Sequence, residues 1–223
     1  MTYLFDPEVL GEVVRMHLGA PIEQQFAGVS QTLRSIYGDH VYPGQRWTFS
    51  NAGGLMYTIS PLHVSPSEYL LFCGTAIGSE GHSGRHRADM YELVMTGELW
   101  TYEAGSIERK VHRPGDLVTL PRGTANGSKL RPGLWMLEYA RGNVASLFPF
   151  AMADTAFSTL DFGELKNQLA VTTKLMFKEM IVRLRERRLG RPFIPNLSVL
   201  GSSASERGAK PGGKRAKGRT LAN

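Results

Sequence analysis

A chain of 223 residues, 42% hydrophobic and 21% charged, has the make-up of a folded domain large enough to bury a core. Its single cysteine, Cys73, excludes an intramolecular disulfide framework and fits a reducing compartment or a cytosolic face. The net charge of +6 does not mark a nucleic-acid binder, because from Gly201 on six basic residues stand against Glu206 alone, which leaves the rest nearly neutral.

In chain order, Asp6-Pro7 reads as an N-cap followed by proline at the first helical position. Val9, Leu10, Val13, Val14 and His17 recur at helical spacing, Gly19–Pro21 breaks it, and Phe26, Val29, Leu33 and Ile36 resume it. Residues 1–46 are therefore expected to form a helical N-terminal segment, with a loop marked by Gly38-Asp39 and Pro43-Gly44. No stretch reaches the roughly 18 consecutive apolar residues of a spanning helix. Met1–Ala20 is interrupted by Asp6, Glu8, Glu12 and Arg15, so neither a signal peptide nor a bilayer span is expected.

From 47 to 143 the texture changes to short strands between turns. Tyr69–Phe72, Tyr91–Met95, Glu98–Tyr102, Leu117–Leu120 and Leu134–Tyr139 are apolar, β-branched or aromatic, with turns at Gly97, Gly105, Gly115, Gly123 and Gly133. This spacing predicts a sandwich or small barrel. Cys73, at the end of the run Tyr69–Cys73, reads as a small buried hydrophobe. Residues 144–190 turn helical again: Val144–Leu160 carries little charge, Asp161 with Glu164 forms a capping-box-like start, and Leu165, Leu169, Thr172, Met176 and Met180 form one stripe. Lys166, Lys174, Lys178, Arg183, Arg185, Arg187 and Arg188 supply its polar side, a pattern that suits packing on the barrel or lying at a membrane surface. Residues 191–223 form a basic, Gly/Ser-containing tail expected to be disordered.

Two stretches carry the punctuation of cupin motifs: His82, His86, Glu92 and Gly97, then Gly115, Pro121, Arg122, Gly123 and Asn126. The punctuation points to a cupin-like barrel. The ligand set points away from a metal, because Asn126 stands where a ligating histidine is usual and His82 and His86 are separated by three residues. Neither a metal nor another cofactor is expected, and the imidazoles read as architectural, satisfied by Glu80, Asp89 or backbone. A metal-dependent cupin using His82, His86 and Glu92 is the weakest of three functional readings.

Carboxylates within apolar strands are more informative. Strand alternation places Met136, Glu138 and Ala140 on one face, and Met90, Glu92 and Val94 on one face. A carboxyl aimed into an apolar cavity raises its pKa, shares a proton or awaits a cationic ligand. The alternative is a glutamate facing outward. Glu68, after the turn at Pro66-Ser67, reads as a structural acceptor for loop backbone.

Ser67-Glu68-Tyr69, Gly74-Thr75-Ala76, Gly81-His82-Ser83-Gly84-Arg85 and Trp135-Met136-Leu137-Glu138-Tyr139 follow in order within a stretch from Asn51 to Thr159. Over that stretch the chain resembles the fungal sterol C-8 isomerases and the animal sigma non-opioid intracellular receptor. The resemblance implies a mainly β fold with helices, a cupin-like barrel flanked by N-terminal helices and closed by two C-terminal amphipathic helices, assembled as a trimer at a membrane. It assigns Glu138 and Glu92 as the functional carboxylates, Tyr69, Leu71, Met90 and Phe150 as apolar pocket wall, and Glu68, His82 and Arg85 as structural. The implied activity is sterol double-bond isomerisation, or else receptor-like binding of sterols or lipophilic amines. The implied address is the endoplasmic reticulum in a eukaryote, or the cytoplasmic membrane face in a bacterium. The chain departs from the pattern in lacking the usual leading membrane helix, in Leu55, Leu130 and Cys73 at positions that are aromatic in the animal receptor, and in the polar Ser50 and Ser128.

Overall fold

The computed structural model describes residues 3–43, 46–190 and 193–201. Helix α1 (Pro7–His17) starts as the sequence predicts, with the Asp6 carboxylate accepting from the Glu8 amide at 2.8 Å. Helix α2 (Ile22–Tyr37) ends at Gly38, whose φ of 58° lets its N–H turn back onto the Arg34 carbonyl.

Ten antiparallel strands follow: β1 (Thr48–Ala52), β2 (Leu55–Val64), β3 (Glu68–Thr75), β4 (Ser79–His82), β5 (Ala88–Thr96), β6 (Leu99–Glu103), β7 (Lys110–His112), β8 (Leu117–Leu120), β9 (Asn126–Leu130) and β10 (Leu134–Gly142). They form a six-stranded sheet of order β1-β2-β3-β10-β5-β8 and a four-stranded sheet of order β4-β9-β6-β7. The strands therefore make two facing sheets, not one closed hydrogen-bonded barrel.

Alternation divides the large sheet's side chains between two cores. Leu70, Phe72, Leu93, Met95, Leu137 and Tyr139 point outward and are covered by Leu10, Val13, Phe26, Val29 and Leu33 of α1 and α2. Cys73, Val94, Val118 and Met136 point inward and meet Leu99, Leu130 and Leu134. At one end Phe26, Trp47, Phe72 and Trp135 interlock with ring centroids 4.8–6.5 Å apart.

The apolar run from Val144 is split. Val144–Leu147 is a 3-10 turn, α3 spans Phe148–Phe157, and Leu160 takes a left-handed φ of 53° before α4 (Phe162–Arg188), which Asp161 caps. Helix α4 does not pack through its apolar stripe alone. Its buried residues are Gln168, Leu175 and Glu179, whereas Leu169 and Met180 of the stripe are exposed, as are Phe177, Ile181 and Leu184.

The reason is electrostatic. Glu179 accepts from His40 at 2.9 Å and from Arg183 at 2.5 Å, His40 also meets Glu186 at 3.0 Å, and Arg183 reaches the buried Glu68 at 3.4 Å. Charged groups on the protein side thus draw the polar face of α4 inward. The segment Phe193–Gly201, assigned by composition to the tail, packs on the helical core: Phe193 lies against His40 and Tyr37, and the Asn196 amide donates to the Ile36 carbonyl at 3.0 Å. Of the tail, residues 202–223 lie outside the described residues.

Candidate active site

A cavity of about 150 Å³ lies between the sheets and is walled by α3 and α4. Its floor comes from the inward faces of β3, β10 and β5, and Tyr69, Leu71, Met90 and Phe150 all line it. Placement of Phe150 begins with the β1–β2 turn. Gly53 and Gly54 have φ of 63° and 82°, the two positive angles of a tight hairpin, and the Gly54 amide donates to Asp154 of α3 at 2.8 Å. Phe150 then packs edge-on against His86 at 4.9 Å. Helix α4 is tied in by the Gln168 side-chain amide, which donates to the Phe49 carbonyl.

Glu138 and Glu92 meet at the centre. They are directly paired in the β10–β5 register, and both border the cavity. Glu138 is 8% exposed and Glu92 is half-buried. Burial and then the charge of Glu138 push the Glu92 carboxyl up to about 8. Burial raises Glu138 as well, against hydrogen bonds that favour its ionised form: the Tyr69 hydroxyl donates to Oε1 at 2.5 Å and the Cys73 thiol to Oε2 at 3.6 Å. Two like charges a strand apart in an apolar site cannot both form cheaply, and each carboxyl is accordingly pushed above its ordinary value.

Two residues do more here than their apolar surroundings suggest. Tyr69 does line the wall, but its working end is the polar hydroxyl on Glu138. Cys73 is fully buried as expected, yet it is a hydrogen-bond donor and not only a small hydrophobe. Two further lining groups carry no sequence signal singled out above: Tyr57, whose phenol is pushed up by burial and then by the nearby Glu138 charge, and Gln168. Tyr57 was detectable by its alternation with Leu55 and Ile59 along β2; Gln168 carried no signal, since it depends on which face of α4 turns inward.

The remaining candidates lie elsewhere. Glu68 is completely buried at the start of β3, where it accepts from the amides of Leu4 at 2.9 Å and Phe5 at 3.4 Å and from the Tyr139 hydroxyl at 3.0 Å. His82 is exposed, in an outer groove with Arg85 and Trp100, and its Nδ1 accepts from the Gly84 amide at 2.9 Å. His86 Nε2 is held by the Ser83 carbonyl at 3.0 Å. Backbone satisfies both imidazoles, whereas Glu80 pairs with Lys129 and Asp89 with Arg122. Arg85 donates to the Gly123 carbonyl. His82, His86 and Glu92 do not converge, and among the described residues no three metal-ligating side chains do.

The family model described as "ERG2 and Sigma1 receptor like protein" matches residues 1–184. The chain is 38% identical to the sigma non-opioid intracellular receptor 1 of Gallus gallus over 179 residues, covering 79% of this chain and 81% of that protein. It is 37% identical to the C-8 sterol isomerase erg2 of Aspergillus fumigatus over 190 residues, covering 83% and 78%. Among solved structures, an RmlC-like cupin from Shewanella frigidimarina aligns with a TM-score of 0.37 at 21% identity, covering 45% of this chain and 88% of the other. With its family model spanning most of its length and relatives above 30% identity, the chain belongs to the ERG2 and Sigma1 receptor like family.

Proposed function

We propose that the chain is an isomerase of the sterol C-8 type, shifting a ring double bond between carbons 8 and 9 to carbons 7 and 8. The observation that carries this reading is the Glu138–Glu92 pair, two register-matched carboxyls within apolar walls. A protonated carboxyl gives its proton to carbon 9, the alkene electron pair forms the new C–H bond, and a tertiary cation is left at carbon 8. A carboxylate then takes a proton from carbon 7, and that C–H pair becomes the new double bond. No oxidant or reductant enters. The raised pKa of Glu92 keeps a donor available at neutral pH, the ionised partner opposes the cation, and the apolar walls exclude water that would trap it.

Substrate is then a sterol or similarly shaped lipophilic molecule, and lipophilic amines bind because an ammonium imitates the cation. The outward face of α4, with Phe162, Leu169, Phe177, Met180 and Leu184 exposed, supports seating at a membrane surface. We extend the reading to a trimer, as the resemblance implies, held at the endoplasmic reticulum of a eukaryote or the cytoplasmic membrane face of a bacterium.

Incubation with a carbon-8-unsaturated sterol and product analysis tests the proposal. Appearance of the carbon-7 alkene, lost in Glu138→Gln and in Glu92→Gln, is expected. A second reading, a non-catalytic receptor-like binder, is favoured by the identity to sigma receptors. Tight sterol or amine binding without a shifted alkene would establish it over the first.

A further inference from the structure

The two carboxyls are not equivalently supplied with donors. Both oxygens of Glu138 are occupied, Oε1 by the Tyr69 hydroxyl at 2.5 Å and Oε2 by the Cys73 thiol at 3.6 Å. Glu92 feels burial and the charge of Glu138, and no hydrogen bond reaches it among the described residues. The asymmetry follows from β3. Tyr69, Leu71 and Cys73 share its inward face, and Leu71 is the residue paired with Glu138, so its two neighbours on that face flank the carboxyl from either side. Strand β8, which pairs with β5 on the other side, sets Val118 opposite Glu92 and offers no donor.

We propose that Cys73 is a positioning residue: together with Tyr69 it gives each oxygen of Glu138 a donor, holds that carboxyl as the anion of the pair, and leaves the transferable proton on Glu92. Hydrogen bonds to a carboxylate favour its charged form, and a carboxyl without donors in an apolar wall keeps its proton. The thiol is suited to the task because burial and the neighbouring carboxylates hold it in the S–H form, a weak donor and never a competing charge. Resting on the isomerase reading above, the assignment fixes the order of events. The Glu92 O–H bond breaks with its electrons kept on oxygen, carbon 9 gains the proton, and Glu138 stays ionised opposite the cation. The proton leaving carbon 7 then returns to Glu92, so Glu138 undergoes no net change.

The prediction is specific to one limb of the titration. Activity needs Glu138 ionised and Glu92 protonated, so the acid limb of the pH profile belongs to Glu138 and the alkaline limb to Glu92. Loss of one donor from the Glu138 anion raises the lower pKa of the pair and leaves the upper one in place.

The test is infrared titration of the ligand-free protein, in which the S–H stretch belongs to Cys73 alone because the chain has one cysteine. The band should shift as the lower carboxyl step titrates and stay fixed through the upper step. In Cys73→Val the lower carboxyl step should move up by about one pH unit, and in Cys73→Ser, which keeps a donor, it should return toward the wild-type position. An S–H band indifferent to the lower step, or wild-type titration in the folded Cys73→Val protein, would overturn the assignment. Because these readouts use no sterol, they are independent of turnover: a protein that passes them and isomerises nothing fails the isomerase reading alone. If turnover is present, the acid limb of kcat should follow the same shift.

Discussion

Glu92 stands opposite Glu138 across the β5–β10 pair, and the fold accepts a carboxyl there whose proton it holds to about pH 8. That arrangement has a stability signature. Below the unfolded value near 4.5 the carboxyl is protonated in both states and contributes no slope. Between that value and about 8 the unfolded chain binds fewer protons than the folded one, so this site lowers stability as pH rises, by about 1.4 kcal/mol per pH unit at full difference. Glu92→Gln should remove that slope and melt above the wild type at pH 7.5, with little difference at pH 4.5, while abolishing turnover. Thermal unfolding at the two pH values checks it; a variant less stable than wild type at both would contradict the buried, proton-holding role.

Glu68 makes the opposite kind of bargain. It is fully buried but gathers the amides of Leu4 and Phe5, the Tyr139 hydroxyl and the Arg183 guanidinium. Glu68→Ala leaves several of these buried donors unpaired and should cost about 3–5 kcal/mol. Glu68→Gln keeps an acceptor oxygen and should cost about 1–3 kcal/mol. Urea unfolding separates the two. Where folded, the Gln variant should keep ligand binding, because none of these contacts borders the cavity.

Much of this was legible in the sequence because the relevant signals are local. The spacing of Leu10, Val13, Phe26, Val29 and Leu33 marks two helices, and period-two alternation groups Glu138 with Met136 and Ala140 and Glu92 with Met90 and Val94; that these faces turn inward is what the family resemblance implies, since alternation alone also allows an outward glutamate. The orientation of α4 was not legible. A stripe through Leu169 and Met180 reports that one face avoids water, not what covers it, and here the buried mates His40 and Glu68 lie more than a hundred residues away in sequence. Cys73 was hidden for a similar reason: a thiol in an apolar run looks like packing until the partner strand brings a carboxyl to it.

The hairpin at Gly53-Gly54 should be sensitive at one glycine and tolerant at the other. A Cβ at Gly53 would lie 2.3 Å from the His82 carbonyl oxygen and 2.6 Å from the Phe150 ring, on a backbone with φ of 63°. Gly54 has a φ of 82° but nothing nearer than 3.8 Å. Gly54→Ala should therefore cost only the left-handed penalty of about 1 kcal/mol. Gly53→Ala should cost about 1–3 kcal/mol and push Phe150, weakening binding of a lipophilic amine roughly tenfold. Calorimetric binding on both variants tests this; equal losses would mean the hairpin does not position the cavity wall.

Acid should act in opposite directions on the sheet and on α4. Helix α4 is attached mainly through polar groups, with Glu179 at the centre between His40, His63 and Arg183. Burial alone would raise Glu179, but hydrogen bonds from His40 and Arg183 and the charges around it bring its pKa below the ordinary value. That stability is present above the unfolded pKa and is lost as pH falls through the lowered folded one. His63 is held neutral by burial, so its contribution also declines as pH falls below 6.5. His40, raised by Glu179 and Glu186 against burial, is already charged in both states below that pH and cannot compensate; its contribution is lost instead as pH rises through its folded pKa. Glu92 meanwhile gains on acidification. Hydrogen exchange read by mass spectrometry should therefore show α4 beginning to lose protection as pH falls below 6.5 and losing most of it below 4.5, while β5 and β10 keep theirs. Glu179→Gln should show the same selective loss at neutral pH. Cooperative loss of α4 and the sheet together at every pH would mean that the helix is held by something other than this cluster.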